Sequence, residues 1–256
     1  MVKKMEDNEF YFTIFKRKSI RNFDLNSLNK NELSEISNYL EVLKPMYNDI
    51  KTEIKIVGYD NVKRRMMKKA PHYIAIFSET KEGYLTNIGF MLQQMDLFLS
   101  RNGIASCWQG IPSPKKELVK SSNLKFIIFM AFGKPHDPET MHKSNIKEFK
   151  RKQLTEITEI IGVDEILEAV RIAPSAANRQ PWYFTGTKNF INAYASKPGV
   201  LKSLIGKYPQ MDVGIALYHL KVSADHFGMK SKILLDETAR MDAPNGTEYI
   251  ASMKLE

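Results

Sequence analysis

The chain is short of cysteine. Among 256 residues there is one, Cys107, which excludes an internal disulfide and any cysteine-rich metal centre and fits a reducing compartment. Long apolar runs are lacking too: the longest, Phe126–Phe132, has the length of a buried strand and falls far short of a bilayer span. No apolar stretch accompanies the N-terminal Lys3, Lys4, Glu6, Asp7 and Glu9, so no signal peptide is expected. Metal-ligand spacing is missing from the five histidines. His219 and His226 stand seven apart, two turns along one helix face, and His72, His136 and His142 are scattered. Ser175 lacks the glycine flanks of a nucleophile elbow, and Cys107 has no histidine near it in sequence. The expectation is a cytoplasmic protein with no membrane span, no resident metal and no catalytic side chain to assign.

With 43% hydrophobic and 26% charged residues, the composition is that of a globular protein, one large domain or two small fused ones. The net charge of +9 points to anionic partners without choosing among nucleic acid, a nucleotide cofactor and an acidic surface. The densest basic runs, Lys63–Arg65 with Lys68–Lys69 and Lys147–Lys152, are not interleaved with exposed aromatics as a single-strand platform would be. No nucleic acid partner is expected.

Periodicity places a helix over Asn31–Leu43 and strands at Ile54–Val57 and His72–Phe77, with a basic helical turn or two over Asn61–Lys69 between them. The clearest helix of the first half is Thr86–Asn102. Ile88, Met91, Leu92, Met95, Phe98 and Leu99 form its stripe and Gly103 its C-cap. Phe126–Phe132 follows as a strand buried on both faces, and His136–Lys152 reads as a linker. The second half repeats the plan: a helix from Val163, a strand from Trp182, a loop over Phe190–Pro209, a helix over Met211–Phe227 capped by Gly228, and strands at Lys232–Leu235 and Tyr249–Met253. Placing Gly103 on Gly228 also superposes Gly89 on Gly214 and Leu92 on Leu217, an internal duplication at an offset of 125 residues.

Two stretches carry chemistry. Ala173–Trp182 packs two prolines, small residues and two amides between a helix, which Pro174 stops, and a strand. Such a loop is either a connector or a surface that lies against a flat heteroaromatic ring while Ser175, Asn178 and Gln180 hydrogen-bond its edge. Arg17, Lys18, Ser19 and Arg21 put four donors within five positions. They form either a phosphate grip or a basic segment leading into a pair of helices.

Taken in order, these segments resemble the FMN-dependent nitroreductase family. Arg17–Arg21 resembles its basic-Ser-basic phosphate segment, and Ala173–Trp182, with Pro174, Ser175, Ala176, Asn178 and Gln180, its flavin ring-contacting loop. Gly103–Gly110 resembles the loop whose Trp108, Gln109 and Gly110 border the flavin N5, Phe129–Pro135 the following strand and glycine turn, and Lys150–Leu154, with Arg151, a second phosphate grip.

The resemblance implies an α+β, three-layer α/β/α fold with two related lobes around central long helices and mixed, largely antiparallel sheets. It also implies FMN as cofactor, NAD(P)H as electron donor, and a small-molecule acceptor such as a nitroaromatic or quinone. In ordinary members the ring-contacting loop follows soon after the basic segment. Here Val42–Tyr47 stands in its place and the loop appears only in the second half. The chain thus resembles the two-lobed subgroup, a monomer acting as a fused pseudo-dimer. Lobe 1–152 would keep the phosphate grip and lobe 153–256 the ring loop, with one flavin per chain. Two other readings stay open: a different flavin-dependent dehydrogenase or non-catalytic flavin carrier, and a basic polyanion-binding protein.

Overall fold

The computed structural model describes residues 9–63, 69–197 and 208–256. The chain divides into two compact units. The smaller comprises Lys16–Tyr84 and Gln94–Lys143; the larger comprises Met1–Phe15, Leu85–Gln93 and Ser144–Glu256. The smaller therefore lies wholly in the first half, whereas the larger adds two first-half segments to the second.

Helix α1 covers residues 9–14. Helix α2, Lys30–Glu41, starts at a reciprocal cap: Glu32 N–H donates to the Asn29 side chain, and Asn29 N–H to the Glu32 carboxylate. The smaller unit's sheet runs β1 (Thr52–Gly58), β3 (His72–Ser78), β6 (Lys125–Gly133), β4 (Ala105–Gln109) in spatial order, every neighbouring pair antiparallel. Strand β2, Val62–Lys63, pairs separately with β5, Ser113–Pro114. Between β3 and β4 the chain forms α3, Tyr84–Arg101, and between β4 and β6 the short α4, Lys116–Lys120. One sheet face presents Tyr73, Ala75, Phe77, Cys107, Phe129 and Ala131 to a core closed by Ile20, Phe23, Leu118 and Met141, the alternation expected of a strand side-chain period of two.

The larger unit repeats this plan. Helix α5, Asp164–Arg171, precedes β7 (Trp182–Thr187), β8 (Phe190–Ser196), the long α6 (Tyr208–His226), β9 (Ser231–Leu234), the short α7 (Glu237–Met241) and β10 (Thr247–Leu255). Its sheet order is β7-β8-β10-β9, again antiparallel throughout. In both sheets the first, second, fourth and third strands lie side by side, with the long helix entered after the second. The helix ends match as well. Gly103 and Gly228 are left-handed caps (φ 67° and 79°), followed by Ile104 N–H bonding Leu99 O and Met229 N–H bonding Ala224 O. Each residue of the second cap is the first plus 125.

Within the larger unit the duplication is also visible where α3 residues 85–93 meet α6. A Cβ on Gly89 would stand 2.1 Å from Met211 O and 3.1 Å from Ile215 N. One on Gly214 would stand 2.1 Å from Thr86 O and 3.0 Å from Phe90 N. Each glycine faces the 125-residue counterparts of the other's contacts, a reciprocal crossing that only residues without Cβ atoms permit. Helix α6 is buried from Met211 to Leu220 and again over Val222–Ala224, so it lacks a solvent face over most of its length.

Three local expectations are corrected. Phe190–Ser196 is a strand, hairpinned to β7 through Lys188-Asn189, not the start of a loop; its alanines and Asn192 are poor strand formers held by packing. Residues 198–207 of that expected loop lie outside the described residues. Of the helical turn expected at Asn61–Lys69, Val62–Lys63 is strand β2, entered from a 3-10 turn at Tyr59–Asn61; residues 64–68 lie outside the described residues. Ala105–Gln109, expected within a loop, is the sheet's edge strand β4. The stretch read as a linker contains 3-10 turns at Pro138–Thr140 and Ile146–Phe149.

Candidate functional site

In the smaller unit the basic segment is extended along β4. Ser19 forms a parallel bridge with Ser106, and Ile20 N–H donates to Ser106 O at 3.0 Å. Its four candidate donors separate into two kinds. Arg17 is buried. Its Nη1 is 2.7 Å from Asp96 Oδ2, and its Nη2 donates to Ser19 Oγ at 3.0 Å. Asp96, on α3, also accepts from the Ser106 hydroxyl. This ion pair is balanced internally, so Arg17 brings no spare charge to a ligand. Lys18 is half-buried and Arg21 exposed, and neither has a hydrogen bond or ion pair among the described residues. They are the segment's available cations, with the Ser19 hydroxyl hydrogen beside them.

At the end of β4, Trp108 Nε1 and Gln109 Oε1 are buried and, among the described residues, without hydrogen-bond partners. Orphaned buried polar atoms are rare in folded proteins and mark sites where a further partner belongs. Beside them Cys107 is free and buried. Burial pushes its thiol pKa up, opposed by the charges of Arg21 and Arg17, so it stays a thiol at neutral pH.

In the larger unit, Ala173–Trp182 is a tightly fastened loop. Ser175 Oγ accepts from Gln180 N–H at 2.9 Å, and Asn178 N–H donates to Ser175 O at 3.1 Å. Both Asp212 carboxyl oxygens lie 3.1 Å from Ala176 N. The Lys150–Lys152 segment is laced to the other side of the loop. Arg151 donates to Phe149 O, Ile172 O and the Asn178 side chain, and Asn178 Nδ2 donates back to Lys150 O at 2.9 Å. Lys152 N–H donates to Gln180 Oε1 at 2.8 Å, and its ammonium to Gln180 O at 3.1 Å. At the exit, Ser196 N–H donates to Pro181 O at 2.7 Å.

Four non-glycine residues have left-handed backbone among the described residues: Lys150, Ala177, Asn178 and Gln180, with φ between 51° and 56°. All lie in this loop or in the segment laced to it. Each such residue costs on the order of 1–2 kcal/mol, and conformations of this kind persist where surrounding bonds over-determine them.

The candidate side chains therefore differ in what they can still offer. Asn178 and Gln180 spend their amides holding the loop. Ser175 keeps its hydroxyl hydrogen as a donor, Pro174 is buried, and Ala176 is half-buried. The Arg179 side chain, exposed and without a partner among the described residues, adds a cation that sequence reasoning passed over. Asp96 and Asp212 were missed too. Their signal was an acid embedded in an apolar helix, in Met95-Asp96-Leu97 and Met211-Asp212-Val213. Among the described residues no three His, Cys, Asp or Glu side chains gather as metal ligands would, and no helix is long and apolar enough to cross a membrane.

Comparison with known proteins bears on the family and the fold. The model of the family described as "Putative TM nitroreductase" matches residues 9–224. A nitroreductase-like protein of Thermotoga maritima, solved as a crystal structure, shares 22% identity over 96% of this chain and 92% of its own, with a TM-score of 0.65. At that identity the likeness is one of fold. A nitroreductase family protein of Clostridium novyi NT shares 19% identity over 51% of this chain and 87% of its own, at a TM-score of 0.42. An iodotyrosine deiodinase solved with FMN and 3-iodo-L-tyrosine shares 19% over 50% and 91%, at 0.39. No curated protein matches the chain.

Proposed function

The chain belongs to the nitroreductase family, and on that footing we propose that it is an FMN-dependent oxidoreductase. It takes electrons from NADH or NADPH and passes them to an electron-poor small molecule such as a nitroaromatic or a quinone. When bound, the flavin supplies the redox chemistry, and the protein's task is to hold it, orient it and exclude competing reactions. The observation that carries the reading is the loop Ala173–Trp182: a stretch resembling the family's ring-contacting motif holds or adjoins all four left-handed non-glycine residues of the described chain.

The residues divide the work as follows. Lys18, the Ser19 hydroxyl and Arg21 take the phosphate through charge-assisted hydrogen bonds. Arg17, neutralised by Asp96, orients Ser19 for them. The Ser175 hydroxyl and the backbone around Pro174, Ala176, Asn178 and Gln180 meet the ring edge, and Arg151 fixes that backbone in place. Trp108 Nε1 and Gln109, whose polar atoms are orphaned, find partners on the cofactor next to Gly110. With a bound flavin as electron carrier between donor and acceptor, ping-pong kinetics would be expected. No side-chain general base is required. The chain acts as a monomeric pseudo-dimer with one flavin.

The visible spectrum of the purified chain and an FMN titration test this reading. The expected result is flavin bands, one FMN per chain, and NAD(P)H oxidation that depends on added quinone or nitroaromatic. Arg21→Ala is expected to weaken FMN binding by about 1–3 kcal/mol, the worth of a charged hydrogen bond. A colourless protein that binds no added FMN refutes the proposal, and a ratio near two refutes the single site. A nucleic-acid affinity that falls steeply with salt would instead favour a polyanion binder.

A further inference from the structure

Asp212 is an unusual residue for its position. It lies on α6 between Met211 and Val213, both buried, and is itself 5% exposed. Among the described residues its carboxyl approaches one donor, the Ala176 amide, with both oxygens at 3.1 Å. Burial, and then the Asp212 charge, raise the pKa of Tyr208, one turn earlier on the helix. Burial pushes the Asp212 pKa up to about 8, against the pull of the Ala176 N–H. A leucine or methionine at this place would fill the same helix interior without any desolvation cost. What the carboxyl offers instead is an acceptor fixed to a rigid, buried element.

The place where it grips the loop is informative. Immediately after Ala176 the backbone turns left-handed at Ala177 (φ 51°) and Asn178 (φ 56°), and again at Gln180 (φ 51°). The Lys150–Lys152 segment fastens Asn178 and Gln180. At Ala176, where the turn starts, the Asp212 contact ties loop backbone to α6, whereas the bonds from Asn178 N–H to Ser175 O and from Arg179 N–H to Ala176 O are internal to the loop. Removing it frees the peptide from which the strained run begins, and the run has no intrinsic preference for that conformation.

We propose that Asp212 is a positioning residue for the ring-contacting loop: from α6 it holds the Ala176 amide and so sets the left-handed turn that presents residues 175–180 to the flavin. The inference rests on the flavin reading above. It assigns Asp212 no contact with cofactor or substrate.

Amide hydrogen exchange on the flavin-free protein separates the two ideas. In Asp212→Ala, exchange at Ala176–Gln180 is expected to rise at least tenfold, with the β7–β8 hairpin amides unchanged. Asp212→Asn, which keeps an acceptor at the same place, should restore protection. FMN affinity should follow the same order, falling about tenfold in Asp212→Ala and recovering in Asp212→Asn. If Asp212→Ala does not fold, the wild type and Asp212→Asn decide: the Ala176–Gln180 amide resonances should move with the Asp212 titration in the former and stay still in the latter. Loop amides indifferent to both the substitution and the titration would overturn the assignment. If the wild type binds no FMN, the flavin proposal falls, and the exchange data still decide whether Asp212 sets the loop.

Discussion

The glycine crossing of α3 and α6 permits a sharp test of the duplicated architecture. In Gly89→Ala the new Cβ would lie 2.1 Å from Met211 O, whereas carbon and oxygen settle at about 3.3 Å or more. Met211 O is main chain of a buried helix, so no side chain can rotate away and the helices must part locally by about 1 Å. A gap of that size forfeits roughly a quarter to a half of the dispersion energy of the atoms that line it. Overpacking of this kind costs about 1–3 kcal/mol, and a backbone clash belongs at the upper end. Alanine's better helix propensity returns about 1 kcal/mol. The net expectation is a loss of about 2 kcal/mol for Gly89→Ala, and the same for Gly214→Ala, whose Cβ meets Thr86 O at 2.1 Å.

The double variant is the decisive measurement. Because both clashes are relieved by one separation of the same two helices, the second substitution should add little strain. Since each alanine still returns its helix propensity of about 1 kcal/mol, a urea-denaturation cycle should show the double variant about 3 kcal/mol more stable than the sum of the singles, a coupling at the upper end of the range for residues in direct contact. Strictly additive losses, or a gain of about 1 kcal/mol from each alanine as in an exposed helix, would refute the reciprocal crossing.

Asp212 ties stability to pH with a definite sign. Its native pKa of about 8 stands above the value of about 4 for an unfolded aspartate, so the native state binds more protons over that interval and stability falls as pH rises from about 4 through 8. The loss is on the order of 5 kcal/mol when complete, and Asp212→Asn should abolish it, as thermal or urea unfolding at pH 5 and pH 9 would show. Ala177→Gly should relieve a left-handed cost of about 1–2 kcal/mol against about 0.5–1 kcal/mol of added unfolded-state entropy. The expected change is neutral to slightly stabilising, whereas Ala177→Val should destabilise; denaturation midpoints distinguish them. Asp96→Ala strands the buried Arg17 charge and should cost about 3–5 kcal/mol, while the double replacement Arg17→Leu with Asp96→Leu should recover most of it, measured by the same unfolding curves.

How much of this was legible in the sequence follows from the range of the interactions involved. The long helices, their glycine caps and the 125-residue offset are local signals, and they anticipated α3, α6 and the equivalence of Gly89 with Gly214; that the two helices cross at these glycines comes from the structure. The apolar run Phe126–Phe132 likewise announced β6, since a strand buried on both faces needs no alternation. Strand β8 was hidden because Asn192, Ala193 and Ala195 carry little strand preference; its identity comes from pairing with β7 and β10. The partners of Arg17 and Asn178 could not be read at all. Asp96 is 79 residues from Arg17 and Arg151 is 27 from Asn178, and nothing in the local pattern couples them.

The same distinction applies to the candidate site. Sequence reasoning singled out two segments: a run of donors at 17–21 and a small, polar, proline-bounded loop at 173–182. It treated the donors it singled out there as available to a ligand. Folding instead spends many of those groups on the site's own geometry, because a loop with three left-handed residues needs bonds from both sides to persist. Asn178, Gln180, Arg151 and Arg17 serve that end, leaving Lys18, Arg21, the two serine hydroxyls, Trp108 Nε1 and Gln109 Oε1 as groups with unspent capacity. A ligand's worth at such a site lies in satisfying the second set, and a mutation's effect on binding depends on which set it touches. Substitutions in the first should act through loop order and stability, and those in the second through affinity alone.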